Sequence, residues 1–143
     1  MNEIKFLINE IPSIDLIVDL YKRLNWGHHN YPSLLEKAYL NSEYVVTAYS
    51  STGELIGLGR AISDKAFTVY FPDLLVRPDW QGKGIGRQIM QLMMNNYEKF
   101  HNQVLVAEDV RAKTFYLDCG FIQENSAMSI TRSFQEVDNA SEV

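Results

Sequence analysis

Cysteine is almost absent from this sequence, since Cys119 is the only one among 143 residues. A single cysteine excludes an internal disulfide and suits a reducing compartment, so the sequence predicts a cytoplasmic protein. Long apolar runs are also missing, and none approaches the roughly 20 residues of a membrane-spanning helix. The first residues lack the basic and then apolar layout of a signal peptide. We therefore expect no membrane association.

Basic residues are outnumbered, with 13 Lys and Arg against 18 Asp and Glu and a net charge of -5. A nucleic-acid-binding protein should show a basic face, so no nucleic-acid partner is expected. The acidic balance mildly favours a cationic substrate such as an amine, although acidity also serves solubility. Linkers, repeats and low-complexity blocks are not seen. We predict a single domain over residues 1–143, with a frayed polar tail at 135–143.

One stretch combines an apolar run, a proline and three alternating glycines. The run ends at Pro78, and Gly82, Gly84 and Gly86 follow before a helical pattern begins. This is the layout of a strand, a tight loop and a helix N-terminus. Backbone N–H groups there lack intrahelical acceptors and the helix dipole is positive, so the loop predicts an anion site. The predicted helix runs to about residue 100 and buries Ile85, Ile89, Leu92, Met93 and Phe100.

The glycine spacing excludes two common phosphate loops. A Walker A loop needs glycine where Arg77 stands and Ser or Thr where Gly84 stands. A dinucleotide fingerprint needs glycine where Arg87 stands. A plain structural turn is the remaining non-functional interpretation, because glycine-rich turns are common.

The rest of the chain predicts short strands and three further helices. Ser13 and Ser33 are expected to cap the first two helices, the second over 34–40, with 25–32 as a loop. Pro72 removes a ladder donor inside its strand, which predicts a bulge or an edge position. The run 103–107 lacks alternation and predicts burial on both faces. Strands are predicted over 4–8, 43–49, 54–62, 67–76, 103–107, 121–123 and 127–131, and a helix over 111–119 ends at Gly120.

Two motifs resemble those of the GNAT superfamily of N-acetyltransferases. Gln81, Gly84 and Gly86 match its pyrophosphate loop, Gln/Arg-x-x-Gly-x-Gly/Ala. The run from Ala112 through Phe115 and Tyr116 to Gly120-Phe121 resembles its second signature, in the order that the family requires. Asp109 stands where that signature has Asn, and its carboxylate can neither donate an amide hydrogen bond nor attract a phosphate.

The resemblance implies an α/β domain of the α+β type. Its sheet would be mixed but mostly antiparallel, with helices on both faces and a splayed central cleft for coenzyme A. Acetyl-CoA would be the acetyl-donor co-substrate, its pantetheine pairing with strand backbone near Leu75 and Val76, one of whose N–H groups holds the thioester oxygen. Dimers are frequent in the superfamily, which makes a homodimer an expectation by analogy. The implied cofactor-binding residues are Leu74, Leu75, Val76, Gln81, Gly82, Lys83, Gly84, Ile85, Gly86, Arg87, Asp109, Ala112 and Phe115.

The resemblance also implies the chemistry. Tyr116 matches the family's proton donor to the departing thiolate, although it could pack the thiol end without transferring a proton. Asp73 is our candidate base, acting through water, or the anchor of the substrate ammonium; an exposed strand carboxylate is the alternative. A covalent role for Cys119 is disfavoured because no histidine lies near it in sequence. His28 and His29 are adjacent rather than spaced for a metal, so no metal is expected.

The acceptor is expected to be a small-molecule primary amine. The first helix pair and its linking loop border the acceptor pocket in the superfamily, which makes Trp26 and Tyr31 candidate substrate contacts. Both aromatic residues could equally cover the edge of the core. A protein or peptide amine acetyltransferase and a non-catalytic CoA-binding regulatory module remain as alternatives.

Overall fold

The computed structural model describes residues 3–141 and contains a five-stranded mixed sheet. The strands lie in chain order, with four antiparallel strands and a last strand that runs parallel to its neighbour. They are β1 (Lys5–Ile8), β2 (Tyr44–Tyr49), β3 (Leu55–Ser63), β4 (Thr68–Val76) and β5 (Asn102–Val104). This is the mixed, mostly antiparallel α/β fold that the sequence predicted.

Five α-helices accompany the sheet in the described residues. They are α1 (Ile14–Arg23), α2 (Pro32–Leu40), α3 (Ile85–Asn96), α4 (Val110–Asp118) and α5 (Phe134–Ser141), with short 3-10 helices at Gly27–Asn30 and Pro78–Trp80. The chain divides into two compact units, residues 1–106 and 107–143. The first unit holds the sheet with α1, α2 and α3, and the second holds α4 and α5.

Helices α1 and α2 cover one face of the sheet. Apolar residues of both helices pack on inward-facing residues of three strands and form a buried core cluster. Burial of apolar side chains supplies most of the free energy that holds such layers together. The cluster contains Ile17, Leu20, Tyr21, Leu35, Tyr39, Val45, Leu55, Leu58 and Leu75.

Helix α3 covers the opposite face and lies directly against the backbone of β3. A Cβ atom added to Gly57 would lie 2.9 Å from Cδ1 of Ile89, and one added to Gly59 would lie 2.7 Å from its Cγ2. These two glycines therefore let the helix approach the strand closely. Ile85, Ile89 and Met93 are buried on this helix, as its periodicity predicted. The helix ends at Asn96, earlier than expected.

Several predicted elements differ from those observed. Helix α2 begins at Pro32 with Tyr31 as its N-cap, because proline suits the first helical position; Ser33 lies inside the first turn and does not cap it. Ser13 occupies the N-cap of α1 without a side-chain hydrogen bond. The predicted loop 25–32 contains a 3-10 helix at Gly27–Asn30.

The last third of the chain departs furthest from prediction. Strand β5 is shorter than 103–107 and is not buried on both faces, since it pairs with β4 alone at the sheet edge and Val104 is 41% exposed. The structure has no strand over 121–123 or 127–131, where short apolar runs find no ladder partner among the described residues.

The polar tail is also ordered differently from the prediction. Residues 134–141 form α5 instead of a frayed end, and Ser133 Oγ accepts the N–H of Glu136 in the manner of an N-cap. Residues 142–143 of the predicted tail lie outside the described part of the chain.

Candidate functional site

The far edge of β4 is open along its second half. Strand β5 pairs with β4 only from Thr68 to Tyr70, whereas β4 continues to Val76. No other strand of the described residues pairs with this edge. Peptide groups that face an open edge can pair with an extended ligand in the way that an added strand would.

The register of β3 and β4 decides which residues present peptide groups to that edge. The N–H of Arg77 donates to the carbonyl of Ile56 at 2.8 Å, so this pair is hydrogen-bonded. Residues of an antiparallel ladder alternate, so the peptide groups of Leu75 also face β3. Those of Leu74 and Val76 face the open edge. Leu75 contributes a buried side chain to the core, and its N–H does not face the edge at which the sequence predicted it to pair with the cofactor; Leu74 takes that place.

A bulge interrupts β4 at the predicted position. Arg60 pairs with Asp73 and Ile62 pairs with Tyr70, which leaves Phe71 and Pro72 opposite a single residue of β3. A regular strand would have put Asp73 and Phe71 on one face. The extra residue separates them: Phe71 packs on Tyr97 at the end of α3, while Asp73 contacts α1 on the other face.

The predicted anion loop lies between β4 and α3. Gly82 and Gly84 have φ of 79° and 84°, a backbone region that favours glycine, and space around both is open. Gly84 is the N-cap of α3. The first-turn amides of Ile85, Gly86 and Arg87 therefore have no carbonyl acceptor within the helix and can bind an anion.

Side chains hold the first part of this loop against the end of β4. Gln81 Nε2 donates to the carbonyl of Val76 at 2.9 Å, which ties the loop to the end of β4. The guanidinium of Arg77 forms ion pairs with Glu54 and Asp79 at the loop entrance. Lys83 Nζ lies 5.7 Å from the centre of the Trp80 ring. Lys83 and Arg87 are both exposed, so their charges are accessible to a phosphate.

A buried polar cluster surrounds Asp73. Arg60 Nε lies 2.7 Å from Asp73 Oδ2, and the Tyr21 hydroxyl donates to the same oxygen at 2.9 Å. The hydroxyls of Tyr21 and Tyr39 are 2.7 Å apart, and the Arg60 guanidinium lies over the Tyr39 ring. Asp73 is only 6% exposed, so it is not the exposed strand carboxylate that the sequence left open.

Burial controls the protonation of Tyr21, Tyr39 and the neighbouring His28. Burial, with the electrostatic influence of Tyr39 and Asp73, raises the pKa of Tyr21, and burial likewise raises the pKa of Tyr39. Both hydroxyls therefore remain protonated donors throughout the physiological range. Burial lowers the pKa of His28, which keeps that imidazole neutral near pH 7.

Of the two predicted acceptor contacts, Trp26 contacts Tyr21 of this cluster. Trp26 is half-buried, packs against the core and meets Tyr21 edge to face, with ring centres 5.8 Å apart. Tyr31 is half-buried at the N-cap of α2. Trp26 thus covers the core edge and lies near Asp73 through Tyr21, so the two interpretations of this residue are compatible.

The second motif lies on α4. Asp109 Oδ1 accepts a hydrogen bond from the Ala112 N–H at 2.8 Å and caps the helix. The Asn of the family motif could cap the helix in the same way, since both residues are favoured at N-caps. Ala112, Phe115 and Tyr116 are half-buried, and the rings of Phe115 and Tyr116 are 5.1 Å apart. Gly120, with φ of 107°, follows the C-cap as predicted.

Sequence reasoning missed Tyr21, Tyr39 and Arg60. They lie on α1, α2 and β3, and only the tertiary structure brings them to Asp73. One available signal was Arg60, a charged residue within an otherwise apolar strand pattern. Among residues 3–141 there is no group of three or more potential metal ligands, and no helix is long and apolar enough to cross a membrane.

Residues 22–130 match the family model of the acetyltransferase (GNAT) domain, and the chain belongs to this family. Serotonin N-acetyltransferase 2 of Oryza sativa subsp. japonica is 31% identical over 114 residues, which cover 75% of this chain and 57% of that protein. Histone acetyltransferase TAP1 of Glycine max is 32% identical over 68 residues, 47% of this chain and 29% of that protein.

A GNAT-family acetyltransferase from Streptococcus pneumoniae has a similar solved structure. Its TM-score is 0.78 at 25% sequence identity, covering 92% of this chain and all of that chain. The fold predicted from the two motifs is thereby confirmed. The present chain spans between about two fifths and three fifths of the length of the first curated relatives that it matches.

Proposed function

We propose that this protein transfers the acetyl group of acetyl-CoA to the primary amine of a small molecule. The observation that carries the proposal is the open edge of β4, which leads directly into the glycine loop at the N-terminus of α3. An extended arm with amide groups and a diphosphate at one end fits this sequence of features. Coenzyme A has that chemistry.

The backbone supplies most of the binding in this account. The pantetheine amides pair with the N–H and C=O of Leu74 and with the N–H of Val76, because the Val76 carbonyl already accepts from Gln81. The diphosphate accepts hydrogen bonds from the backbone N–H groups of residues 82–87, and Lys83 and Arg87 add positive charge. The candidate contacts Asp109, Ala112 and Phe115 on α4 remain part of the proposal through the second motif.

The reaction needs a neutral amine and a protonated leaving group. The amine nitrogen attacks the thioester carbon, and the Leu74 N–H stabilises the negative charge that develops on the carbonyl oxygen. The carbon–sulfur bond then breaks. Tyr116, which matches the family's acid, gives its proton to the thiolate, and the amine proton leaves through water toward Asp73 or solvent. Asp73 Oδ2 already accepts two hydrogen bonds, so Asp73 is better suited to bind an ammonium than to remove a proton from it.

A small amine is favoured by Trp26, a half-buried aromatic residue that packs against Tyr21 of the polar cluster, and Tyr31 stays the second candidate contact. One curated relative is named for serotonin, an aromatic amine, and another for histones. The second name keeps a protein amine as the alternative acceptor.

We also propose that the chain forms one acetyltransferase domain, works in the cytoplasm and forms a homodimer.

A thiol-detection assay of CoA release tests the proposal. Acetyl-CoA is presented with arylalkylamines, polyamines, amino acids, aminoglycosides and lysine peptides. We expect turnover on one amine class and a large loss of kcat in Tyr116→Phe. Tyr49→Phe, which removes a hydroxyl from β2, is the matched control and should retain wild-type turnover. Turnover confined to lysine peptides would favour the protein acceptor. A melting temperature raised by acetyl-CoA without any turnover would favour a regulatory module.

A further inference from the structure

Two side chains contact the same carboxylate oxygen of Asp73. The Arg60 guanidinium and the Tyr21 hydroxyl both bind Oδ2, at 2.7 Å and 2.9 Å. Neither contact uses Oδ1. A carboxylate has lone pairs on both oxygens, so these two contacts leave Oδ1 able to accept a hydrogen bond. The two contacts fix the rotation of the carboxylate and therefore the direction in which Oδ1 points.

We propose that Tyr21 is a positioning residue that, together with Arg60, aims Oδ1 of Asp73 at the ammonium of the acceptor. The inference rests on the proposed function and adds to it a residue that neither motif contains. Tyr21 does not touch the reacting atoms in this account. It acts through Asp73.

The hydrogen bonds of Tyr21 form a directed chain from the Tyr39 hydroxyl through the Tyr21 hydroxyl to Asp73. Its single hydroxyl proton is given to Asp73, so the 2.7 Å contact with Tyr39 must be donated by Tyr39. A hydroxyl that accepts one hydrogen bond and donates another is held in a fixed orientation. Such a chain is more strongly polarised than a single bond. The Tyr21 proton is therefore committed to Asp73.

Packing prevents Tyr21 from moving away. The residue is fully buried, and the rings of Trp26, His28 and Tyr39 lie 5.1–6.3 Å from its ring. Burial keeps the hydroxyl protonated, as described above. The donor is thus available at every pH at which the protein is expected to work.

The position of Asp73 explains why its orientation matters. Asp73 directly precedes Leu74, whose peptide groups face the open edge of β4. The thioester would bind at that edge, so an ammonium held by Oδ1 lies one residue away along the strand. Charged hydrogen bonds to a preoriented carboxylate hold the ammonium beside the thioester. The nitrogen then loses one proton to water before it attacks the thioester carbon, and a remaining N–H keeps it bound to Oδ1.

The test is a double-mutant cycle with the best amine found in the CoA-release assay. Tyr21→Phe should lower kcat/KM for the amine about tenfold while leaving the KM for acetyl-CoA unchanged. Asp73→Asn should cause at least the same loss. Tyr21→Phe in the Asp73→Asn background should cause no further loss, because its effect passes through Asp73.

Tyr97→Phe is the matched control. Its buried hydroxyl also donates to a carboxylate, Glu43 Oε1 at 2.7 Å, but on the α3 face of the sheet. It should lower the melting temperature without changing kcat/KM for the amine. If Tyr21→Phe fails to fold, Arg60→Lys replaces it in the same cycle, since lysine keeps the charge but cannot reproduce the Nε contact.

The results of the cycle distinguish the positioning role of Tyr21 from the proposed acetyl transfer. Independent losses from Tyr21→Phe and Asp73→Asn that multiply in the double variant would overturn the positioning role while leaving acetyl transfer intact. The same holds if Tyr21→Phe alters the KM for acetyl-CoA as much as that for the amine. No turnover by the wild-type protein with any amine would overturn the proposed function and this inference together.

Discussion

Gly82 and Gly84 give the anion loop its shape through their backbone dihedral angles. A Cβ atom at either position would meet nothing within 4 Å, so space is not the constraint. Their positive φ is the constraint, because the left-handed region costs a non-glycine residue roughly 1–2 kcal/mol. Substitution of either glycine should therefore alter the direction of the amides that bind phosphate.

Gly84→Ala should weaken acetyl-CoA binding about tenfold, since the strain can be relieved only by turning the first amides of α3 away from the ligand. Gly53→Ala is the matched control. Gly53 has φ of 83° and open surroundings in the turn between β2 and β3. It should cost similar stability and leave acetyl-CoA affinity unchanged, as measured by calorimetric titration. Equal affinity losses would contradict the role of the loop.

His28 should make the folded state sensitive to acid. Burial lowers its pKa in the folded state, so the unfolded chain binds the proton more readily. Its contribution to stability is therefore lost as pH falls through the ordinary histidine pKa of about 6.5. The urea midpoint of His28→Gln should fall less than that of the wild type between pH 7 and about 5. Equal falls in the urea midpoint of the variant and of the wild type would show that His28 contributes nothing to the acid response.

At the scale of elements, the contact between α3 and β3 places the helix N-terminus beside the end of β4. Gly59→Ala would put a Cβ 2.7 Å from Ile89 and 2.8 Å from Met93 Cε. Such overpacking costs about 1–3 kcal/mol and displaces the helix. We expect a lower melting temperature and weaker acetyl-CoA binding. Gln91→Ala, on the exposed face of α3, should change neither quantity.

The cap of α4 gives a separate test. Asp109→Ala removes the acceptor of the Ala112 N–H and should cost about 1 kcal/mol in urea unfolding. Asp109→Asn keeps an oxygen in the same place and should be close to neutral in stability. Asparagine also restores the residue of the family motif, so acetyl-CoA affinity should be retained or improved. A fall in affinity with Asn would remove this position from the cofactor contacts.

The elements with strong local signals were predictable from the sequence. The periodicity of α3 and the turn around Gly53 mark their elements directly, and Pro72 marks the bulge. The strands expected over 121–123 and 127–131 failed because strand formation depends on a partner that the local sequence does not specify. The helix at 134–141 was missed because its polar composition hid a serine cap.

The same limit applies to the candidate site. The loop from Gln81 to Gly86 is contiguous, so its motif reveals it. The cluster of Tyr21, Tyr39, Arg60 and Asp73 is drawn from four elements, and only tertiary structure assembles it. The alternation rule placed Asp73 on one face with Leu75, but the bulge that the proline predicted moved Phe71 to the other face.

At the scale of the whole molecule, family membership and fold agree with the proposed use of acetyl-CoA. Its acidic balance of -5 should favour the approach of cationic amines, an effect that salt screens. The rate with a cationic amine should therefore fall as ionic strength rises, while the rate with a neutral amine should not. Steady-state kinetics at two salt concentrations measures this difference, and identical salt responses would exclude steering.

Transfer of the acetyl group is the central claim, and isotopic labelling tests it most directly. Acetyl-CoA with a carbon-13-labelled acetyl group is incubated with the wild-type protein and the amine panel, and products are analysed by mass spectrometry. We predict one amine class that carries the labelled acetyl group as an amide, in an amount equal to the CoA released. CoA release without label in any amine, or acetyl-CoA binding with no labelled product, would contradict the account.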